Sequence, residues 1–405
     1  MNHHSTPKLS DTNIEMGDLA PKVTRIAGAV GLLALAGGVA MGAAEGDHFR
    51  HFSYSWLVSF ALLLSVSLGA LIFLPIQFVT RASWSVVIRR LPEVMALALP
   101  FMAILILPIL LNLEQVYDWA SAHPQHIPAE LAAHKAPLLN KPFLLIRWTL
   151  YFVIWTAMAV FFWRTSRKQD QTKDTGLTLS MENRSGPAIL VFALTISFAG
   201  MDLLMTLDAA WFSTMFGVYY FAGGFVTFYA VLTLLTMGLQ NTGRLRHIIS
   251  MEHFHDYGKL MFAFTFFWAY IAFSQYMLYW YGNIPEETVF YLVRQNSGWG
   301  TVGLVLAIGA FVIPFAGLIS RFAKRDRKLL AFWACWIIVM QYFNLYWIVM
   351  PIFSPEAVSL SIMDLLCLIA VSGLWLAVVA HLAGTGNLVP VGDPRLDESL
   401  HFENA

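Results

Sequence analysis

Apolar residues occur in this chain in long runs that are separated by short polar stretches. Ten runs are about 19–24 residues long, enough for helices to cross a hydrocarbon core of about 30 Å. The pattern therefore predicts an all-α, polytopic integral membrane protein with ten transmembrane helices. The predicted segments, numbered in chain order, are Ile26–Ala44, Trp56–Val79, Glu93–Leu111, Phe143–Trp163, Pro187–Thr206, Gly217–Gly238, Gly258–Trp280, Trp299–Ile319, Lys328–Met350 and Ser361–His381.

Two polar tails flank the apolar region. The predicted domains are an N-terminal tail of residues 1–25, a ten-helix transmembrane domain of residues 26–382 and a C-terminal tail of residues 383–405. The N-terminal tail is too long and too acidic for the n-region of a cleaved signal peptide. The C-terminal tail is broken by prolines, and we expect it to be disordered or to lie on a partner.

Lysine and arginine alternate in abundance from one loop to the next. Of the 25 such residues, 20 fall in the two tails and in the polar stretches after even-numbered segments. Cytoplasmic loops are enriched in these residues, so the bias predicts that both termini are cytoplasmic. The bias also supports a count of ten spans, because a missed span would place loops rich in lysine and arginine on both sides of the membrane. The five on the other side are Arg50, Lys135, Lys141, Arg147 and Arg294.

The composition narrows the classes of function further. Residues are 58% hydrophobic and only 12% charged, against about 25% charged in soluble domains. The net charge is zero, so we expect no nucleic-acid partner. Cys335 and Cys367 lie far apart in apolar runs without a haem-attachment motif, and we interpret both as small buried apolar residues.

Histidines bear on haem binding and on metal binding. All 12 lie in tails, loops or segment ends, with His381 the deepest, so we expect no haem b and no cytochrome-b type of quinol oxidase subunit. In the loop after segment 3, His123, His126 and His134 suggest either a metal site or, as we expect, solvated loop residues. We therefore expect no metal site and no covalently bound cofactor.

Prolines and small residues mark particular segments. Pro100 and Pro108 in segment 3, and Pro314 in segment 8, predict kinked helices; the sharper alternative is a broken helix that binds substrate. Segment 1 has small residues four apart, such as Gly38 and Gly42, and predicts close packing on another helix. That helix belongs either to this chain or to another subunit. From this small-residue face we expect the chain to be unstable alone.

Polar side chains inside the predicted spans fall into two groups. Charged residues within a span are costly, roughly 2.5–3.5 kcal/mol each on insertion scales, and are functional candidates. The outer group is Asn112, Glu114, Asp202, Asp208, Gln275, Gln341, Asn344 and Asp364, and the inner group is Gln77, Glu93, Glu252, His255, Asp256, Lys259 and His381. Only hydroxyl side chains lie between the groups, so a complete proton path does not follow from the sequence.

Each group has two interpretations. Asp202 lies about 22 Å beyond Pro187 and is either a proton-accepting group near a redox or transport site or a structural carboxylate bonded to neighbouring helices. In the inner group, Lys259 lies four residues after His255 and three after Asp256, so these side chains share a helix face. Such a cluster suits proton uptake from the cytoplasm, or it is the solvated start of a helix.

Three stretches together resemble one family. They are Met201-Asp202 followed by Trp211–Tyr219, then His255–Lys259, then Gln275-Tyr276 followed by Trp280–Glu287 with the sequence WYGNIPEE. The chain resembles, over essentially its whole length, the smaller of two related membrane subunits of bacterial alternative complex III. This F-type subunit belongs with the polysulphide-reductase-like, NrfD-type membrane proteins. The WYGNIPEE stretch is the most specific part of the resemblance.

The resemblance implies a subunit of a quinol:cytochrome c oxidoreductase complex in the bacterial inner membrane. Segments 2–5 and 6–9 would form two four-helix bundles, flanked by segments 1 and 10. The implied partners are a larger sister ten-helix subunit, which holds the family's established quinol site, an iron–sulphur subunit, multihaem cytochrome c subunits and a terminal oxidase, all within the lipid bilayer. This subunit would carry no redox centre, with quinone or quinol as a candidate ligand.

The resemblance also implies a role in proton movement. Asp202, Asp208 and Glu114, with Gln275 and Asp364 nearby, would form an outer site for proton relay next to quinone. The inner site for proton uptake would comprise His255, Asp256, Lys259, Glu252 and Glu93. Two alternatives remain open: a structural anchor for the sister subunit, and a secondary transporter that couples through Asp202. A transporter usually has interrupted helices paired between its two halves, and the sequence shows no convincing pair.

Overall fold

The computed structural model describes residues 9–121 and 127–404. Helices make up 79% of these residues, which form no strand. Ten described helices are long and apolar enough to cross a membrane, which confirms the predicted fold class. They are α1 (Leu19–Glu45), α2 (Arg50–Val79), α3 (Arg90–Leu111), α4 (Lys141–Thr172), α5 (Thr175–Leu203), α6 (Phe216–Asn241), α7 (Met251–Gly282), α8 (Trp299–Leu318), α9 (Arg327–Phe353) and α10 (Ile362–Ala383).

The helices pack as two four-helix bundles, as the resemblance implied. In the first bundle α2 contacts α3 and α5, and α4 lies against α3 and α5; in the second, α6 contacts α7 and α9, and α8 lies between α7 and α9. Helix α2 also contacts α6, α9 and α10. It is apolar on every side and its most apolar window is wholly buried, as expected for a helix at the centre of a membrane protein.

Helix α1 packs mainly on α10, and small residues make the close approach possible. A Cβ atom added at Gly31 would lie 2.8 Å from the backbone nitrogen of Leu374, and one at Gly373 would lie 2.9 Å from the carbonyl oxygen of Ala27. The partner of the small-residue face is therefore another helix of this chain. This finding removes the reason given above for expecting the isolated chain to be unstable.

The predicted proline breaks are present in both helices. Helix α3 consists of three short helical stretches, Arg90–Ala96, Leu99–Leu105 and Leu107–Leu111, which are separated just before its two interior prolines. Helix α8 contains a π-helical stretch, Ala307–Val312, immediately before the turn that holds Pro314. Each interrupted helix is the third of its half of the chain (α1–α5 and α6–α10), so the secondary-transporter alternative stays open.

Both terminal segments lie at one end of the bundles, here called the termini end; the other is the distal end. The backbone nitrogen of Leu388 donates to the carbonyl oxygen of Ile14 at 2.6 Å, and Ser399 Oγ donates to the carbonyl oxygen of Trp84 at 2.9 Å. The expectation of a disordered or partner-bound C-terminal tail was therefore wrong. Residues 384–404 fold back on their own bundle because they find hydrogen-bond and ionic partners there.

Candidate functional site

A cavity of about 720 Å³ lies within the second bundle, towards the distal end. We call it the α7–α8 cavity, because Tyr270 and Phe273 of α7 and Leu304 of α8 form its exposed rim. The rim faces outward between two membrane-spanning helices, so the cavity opens sideways. Its volume is within the range of about 300–1,000 Å³ that is common for small-molecule sites. Its other walls are α6, α9 and the short helix Pro285–Gln295 that connects α7 to α8.

The space exists because α8 presents small residues and an irregular backbone to it. Gly300, Gly303 and Ala307 all line the cavity, and the π-helical stretch of α8 begins at Ala307. A carbonyl group of this stretch, that of Gly309, accepts a hydrogen bond from Trp336 Nε1 at 2.7 Å. Single π-helical turns occur frequently at functional sites, so the local backbone is a second sign that the cavity has a role.

Polar side chains meet on the inner wall of this largely aromatic cavity. Gln275 Oε1 accepts a hydrogen bond from Ser213 Oγ at 2.9 Å, and Gln275 Nε2 donates to the Tyr291 hydroxyl at 2.9 Å. The Tyr219 hydroxyl donates to Asn344 Oδ1. Of the predicted outer group, Gln275 and Asn344 line the cavity, and the acidic members do not.

Two buried donors that α9 contributes to the cavity wall have no hydrogen-bond partner among the described residues. They are Asn344 Nδ2 and Trp347 Nε1, and both residues line the cavity. A buried donor left without an acceptor costs about 1–3 kcal/mol, so each such group needs an explanation. A ligand with oxygen acceptors would satisfy both.

Arg294 is the cation of the cavity wall. It is only 2% exposed, and its Cζ lies 3.5 Å from the centre of the Phe290 ring. Its Nε and Nη2 donate to the carbonyl oxygens of Trp347 at 3.1 Å and Ile348 at 2.8 Å. Burial lowers the pKa of the Arg294 guanidinium to about 9, which leaves it protonated at neutral pH. Arg294 lies in a connecting stretch between two spans, where the amphipathic pattern of the short helix was the one available signal.

The first and third of the stretches that carry the family resemblance meet at the distal end of the cavity, whereas the second, His255–Lys259, lies at the termini end. The Trp211 ring stacks on Phe290 with the ring centres 4.1 Å apart, and its Nε1 donates to the carbonyl oxygen of Glu287 at 3.1 Å. The Tyr279 hydroxyl donates to the carbonyl oxygen of Phe212 at 2.8 Å. Residues that are up to 76 positions apart in sequence thus build one wall.

Asp202 lies in the first bundle and is fully partnered. Arg147 donates from Nε to Oδ2 at 2.8 Å and from Nη2 to Oδ1 at 2.8 Å, and the Tyr151 hydroxyl donates to Oδ2 at 3.0 Å. A bidentate arginine stabilises the ionised carboxylate and occupies both oxygens. This arrangement favours the structural interpretation of Asp202, and its role in a proton relay stays a prediction.

The other predicted outer acids are also dispersed and partnered. Asp208 Oδ1 caps a turn by accepting from the backbone nitrogens two and three residues later, at 3.2 and 3.3 Å. Glu114 is exposed and pairs with Lys141. Asp364 caps the start of α10 and accepts from Ser55 Oγ at 2.6 Å. The structure therefore does not bring the outer group together into one pocket.

The predicted inner group is split between two ionic clusters at the termini end. At the start of α7, Glu252 pairs with Arg325 and Asp256 pairs with Lys259. His255 is buried beside them, and its Nδ1 has no partner among the described residues. The shared helix face that the spacing predicted is present, because Met251–Gly282 is a continuous helix.

The C-terminal tail covers this cluster. Lys259 Nζ donates to Asn404 Oδ1 at 2.6 Å, and Asn404 Nδ2 donates to the carbonyl oxygen of Glu252 at 3.1 Å. The Phe402 ring lies 5.4 Å from the His253 ring. The tail therefore lies against this cluster, although the Lys259 side chain is still 47% exposed.

Glu93 belongs to the second cluster, which ties the tail to α3 and α4. Its carboxylate accepts from Arg89 Nε at 3.3 Å and from Arg90 Nη1 at 2.7 Å. Arg89 Nη1 also donates to Asp393 of the tail at 2.7 Å, and Arg90 pairs with Asp170. Burial acts to raise the pKa of Asp393 and Arg89 acts to lower it, with a net pKa below the usual value. Each charge has a counter-charge, as expected of a structural cluster.

Metal-binding side chains are scattered in the described parts of the chain. No group of three or more such residues is placed to hold a metal ion within residues 9–121 and 127–404. His134 lies at the end of the short helix Ala129–Lys135, whereas His123 and His126 lie outside the described residues. Cys367 is buried as expected, but Cys335 is exposed, because it lies on the outward face of α9. The deepest candidate histidine, His381, is exposed at the termini end of α10.

Comparisons with known proteins add no assignment. A scan against protein-family models finds no match to this chain, and a search of curated proteins finds none.

Proposed function

We propose that this chain is an integral membrane subunit of a respiratory quinol:cytochrome c oxidoreductase complex and carries no redox centre itself. The proposal rests on the resemblance in three stretches of sequence and on the position of two of those stretches beside one cavity. In this proposal the chain lies in the bacterial inner membrane with its termini end in the cytoplasm, as the distribution of lysine and arginine predicts. The distal end, with the cavity, then faces outward.

One observation carries the proposal: residues of the first and third resemblance stretches converge on a cavity that opens sideways between two spanning helices. Phe216 and Tyr219 of the first stretch line its walls, and Gln275 of the third supplies a polar group on its inner wall. A quinone has a flat ring with two carbonyl oxygens and an apolar tail. Aromatic walls suit the ring, convergent donors suit the oxygens, and a lateral opening lets the tail remain in lipid.

Protons released on quinol oxidation need a route to water, and relay by the outer carboxylates remains part of the proposal. Asp208, in the loop that precedes α6, interacts electrostatically with Arg294 of the cavity wall. Asp202, Glu114 and Asp364 are further away and are each engaged with a partner. We therefore regard Asp208 as the first carboxylate to test in a relay.

Affinity purification of the tagged chain from its native membranes tests the proposal directly. The expected result is co-purification of a sister ten-helix subunit, an iron–sulphur subunit and multihaem cytochrome c subunits, with c-type haem absorption in the eluate. Deletion of the chain should abolish quinol-dependent reduction of cytochrome c by the membranes. Recovery of the chain without haem proteins, together with unchanged activity after deletion, would overturn the proposal.

A structural anchor for the sister subunit is the second candidate function. The observation that favours it is the complete pairing of Asp202 with Arg147 and of Glu93 with Arg89 and Arg90. In that case the complex should assemble through this chain while changes in the cavity leave quinol oxidation unaltered. The cavity-filling variant described in the Discussion separates the two candidates.

A further inference from the structure

Arg294 differs from the other buried arginines in having no carboxylate partner. Arg89 and Arg90 each contact carboxylates, and the largely buried Arg147 is paired with Asp202. Arg294 is as deeply buried, yet no Asp or Glu of the described residues lies within ion-pair distance of it. Asp208 interacts with it only from further away. The cavity wall therefore carries a positive charge that the protein does not neutralise by contact.

The hydrogen bonds of Arg294 leave part of its donor capacity free. A guanidinium has five N–H groups, and Arg294 uses them on the carbonyl oxygens of Phe290, Trp347 and Ile348, one bond for each nitrogen. Two N–H groups remain. A buried charge without a counter-charge is strongly destabilising, so a buried arginine that lacks a carboxylate partner calls for an explanation.

The other unpartnered polar atoms of the wall are donors as well. Asn344 Nδ2, Trp347 Nε1 and Trp268 Nε1 are buried and lack acceptors, and no acidic side chain is among the residues that line the cavity. The site thus combines a cation with free donors inside apolar, aromatic walls. An anionic oxygen would neutralise the charge of Arg294 and would accept hydrogen bonds from the free donors.

We propose that the α7–α8 cavity binds an amphipathic anion. Its charged oxygen lies against Arg294, Asn344 and Trp347, and its apolar body follows the aromatic wall and leaves between α7 and α8. Two membrane-soluble molecules carry this chemistry: an acidic phospholipid, through its phosphate, and a quinol with one ionised hydroxyl. The second source rests on the function proposed above, whereas the anion site itself does not.

A matched pair of probes tests the site. One probe is a hydroxynaphthoquinone, whose hydroxyl is ionised at neutral pH, and the other is its methyl ether, which has the same ring and no charge. Binding of radiolabelled probe is measured by scintillation proximity on the tagged full-length chain, with any bound partners, in phosphatidylcholine nanodiscs. We expect the acid to bind at least about tenfold more tightly than the ether.

Variants assign the preference to the cavity. Asn344→Asp puts a negative charge in the cavity. It keeps an acceptor for the Tyr219 hydroxyl and all contacts of Arg294, so the variant should fold. It should lose the preference for the acid. Arg294→Gln should also lose the preference for the acid, and Arg294→Lys should keep most of that preference. Lys141→Gln is the matched control, because it removes an exposed cation near the distal end and outside the cavity. Equal binding of acid and ether by the unaltered chain, or an acid preference that survives in Asn344→Asp, would overturn the proposal.

The lipid composition of the nanodisc distinguishes the two sources. If the natural ligand is a phospholipid, added phosphatidylglycerol should compete with the acid probe, whereas added phosphatidylcholine should not. If it is an ionised quinol, the acid should bind equally well in both bilayers. Failure of the function proposed above would show as the absence of haem proteins after purification, and failure of the anion site would show as equal binding of the two probes.

Discussion

Arg147 and Asp202 form a bidentate ion pair inside the first bundle, with both N–O distances at 2.8 Å. The pair joins α4 to α5, and its two side chains are 11% and 9% exposed. Arg147 Cζ also lies 4.5 Å from the centre of the Phe143 ring. The carboxylate that the sequence marks as the sharpest functional candidate thus has an internal counter-charge.

Removal of one member of this pair should destabilise the protein strongly. Asp202→Asn leaves Arg147 as a buried cation without a full counter-charge, and we expect the free energy of unfolding to fall by about 3–5 kcal/mol. The double variant Asp202→Leu with Arg147→Leu should recover most of that loss, because it leaves no charge buried. Thermal unfolding of the purified protein in detergent measures both.

The same variant tests the proton relay when the complex still assembles. If Asp202 only holds α4 to α5, proton release per electron should be unchanged in Asp202→Asn at the temperature where it is folded. A stable Asp202→Asn protein with reduced proton release would contradict the structural interpretation and support the relay.

Filling the cavity should reduce quinol oxidation without preventing assembly. A Cβ atom at Gly303 would lie 3.5 Å from Trp347 Nε1, so a side chain can start there without a clash and extend into the space. We expect Gly303→Leu to lower quinol-dependent cytochrome c reduction at least about tenfold while the haem subunits still co-purify. Gly186→Leu on α5 is the matched control, because a Cβ atom there would meet nothing within 4 Å, and it should have little effect. Full activity of Gly303→Leu in an assembled complex would favour the anchor.

The contact between α1 and α10 should be sensitive to the size of one residue. A Cβ atom at Gly31 would lie 2.8 Å from Leu374 N, whereas one at Gly28 would lie 3.6 Å from the Ala377 Cβ. We expect Gly31→Ala to destabilise the protein by about 1–3 kcal/mol through forced displacement of α10. Gly28→Ala should be neutral. Equal melting temperatures of the two variants would mean that α10 can be displaced without loss of stability.

Attachment of the C-terminal tail should depend on pH. The carboxylate of Asp393 pairs with Arg89, and its pKa lies below the usual value. A lowered pKa means that the pair stabilises the attached tail at neutral pH and that this stability is lost as pH falls below the usual aspartate pKa of about 3.9. Hydrogen exchange of the tail measured from neutral pH into the acid range should show release in that window.

Two variants complete this test. Asp393→Asn should have a weakly attached tail at every pH, because the amide cannot replace the charge. Asp397→Asn removes an exposed carboxylate of the same tail and should leave the pH profile unchanged. Release of the tail at the same pH in the unaltered protein and in Asp393→Asn would show that another group controls attachment.

The sequence was sufficient for features that depend on local composition. The ten spans follow from hydropathy over windows of about 19 residues, and the interruptions of α3 and α8 follow from prolines that cannot donate a backbone hydrogen bond. The distribution of lysine and arginine assigned the loops to the correct end of the bundles, because successive loops lie at opposite ends.

The features that the sequence missed depend on contacts between distant residues. Nothing near Asp202 in the chain shows that Arg147, 55 residues earlier, meets its carboxylate. Arg294 was counted as an ordinary loop cation, because hydropathy does not show that the helix Pro285–Gln295 turns its Phe290 and Arg294 inward. The amphipathic pattern of that helix was the one available signal, and it indicates a buried face without identifying its partner.

The ionic cluster around Arg89 and Arg90 joins parts of the chain that are synthesised at different times. Asp393 meets Arg89 across 304 residues, so the cluster forms only after the ten spans have been synthesised. Until then Glu93 and Asp170 are the only counter-charges of these arginines, and the start of α7 is uncovered. Attachment of residues 384–404 is therefore a late step of folding, and a nascent chain should be more open to membrane proteases before that step than after it.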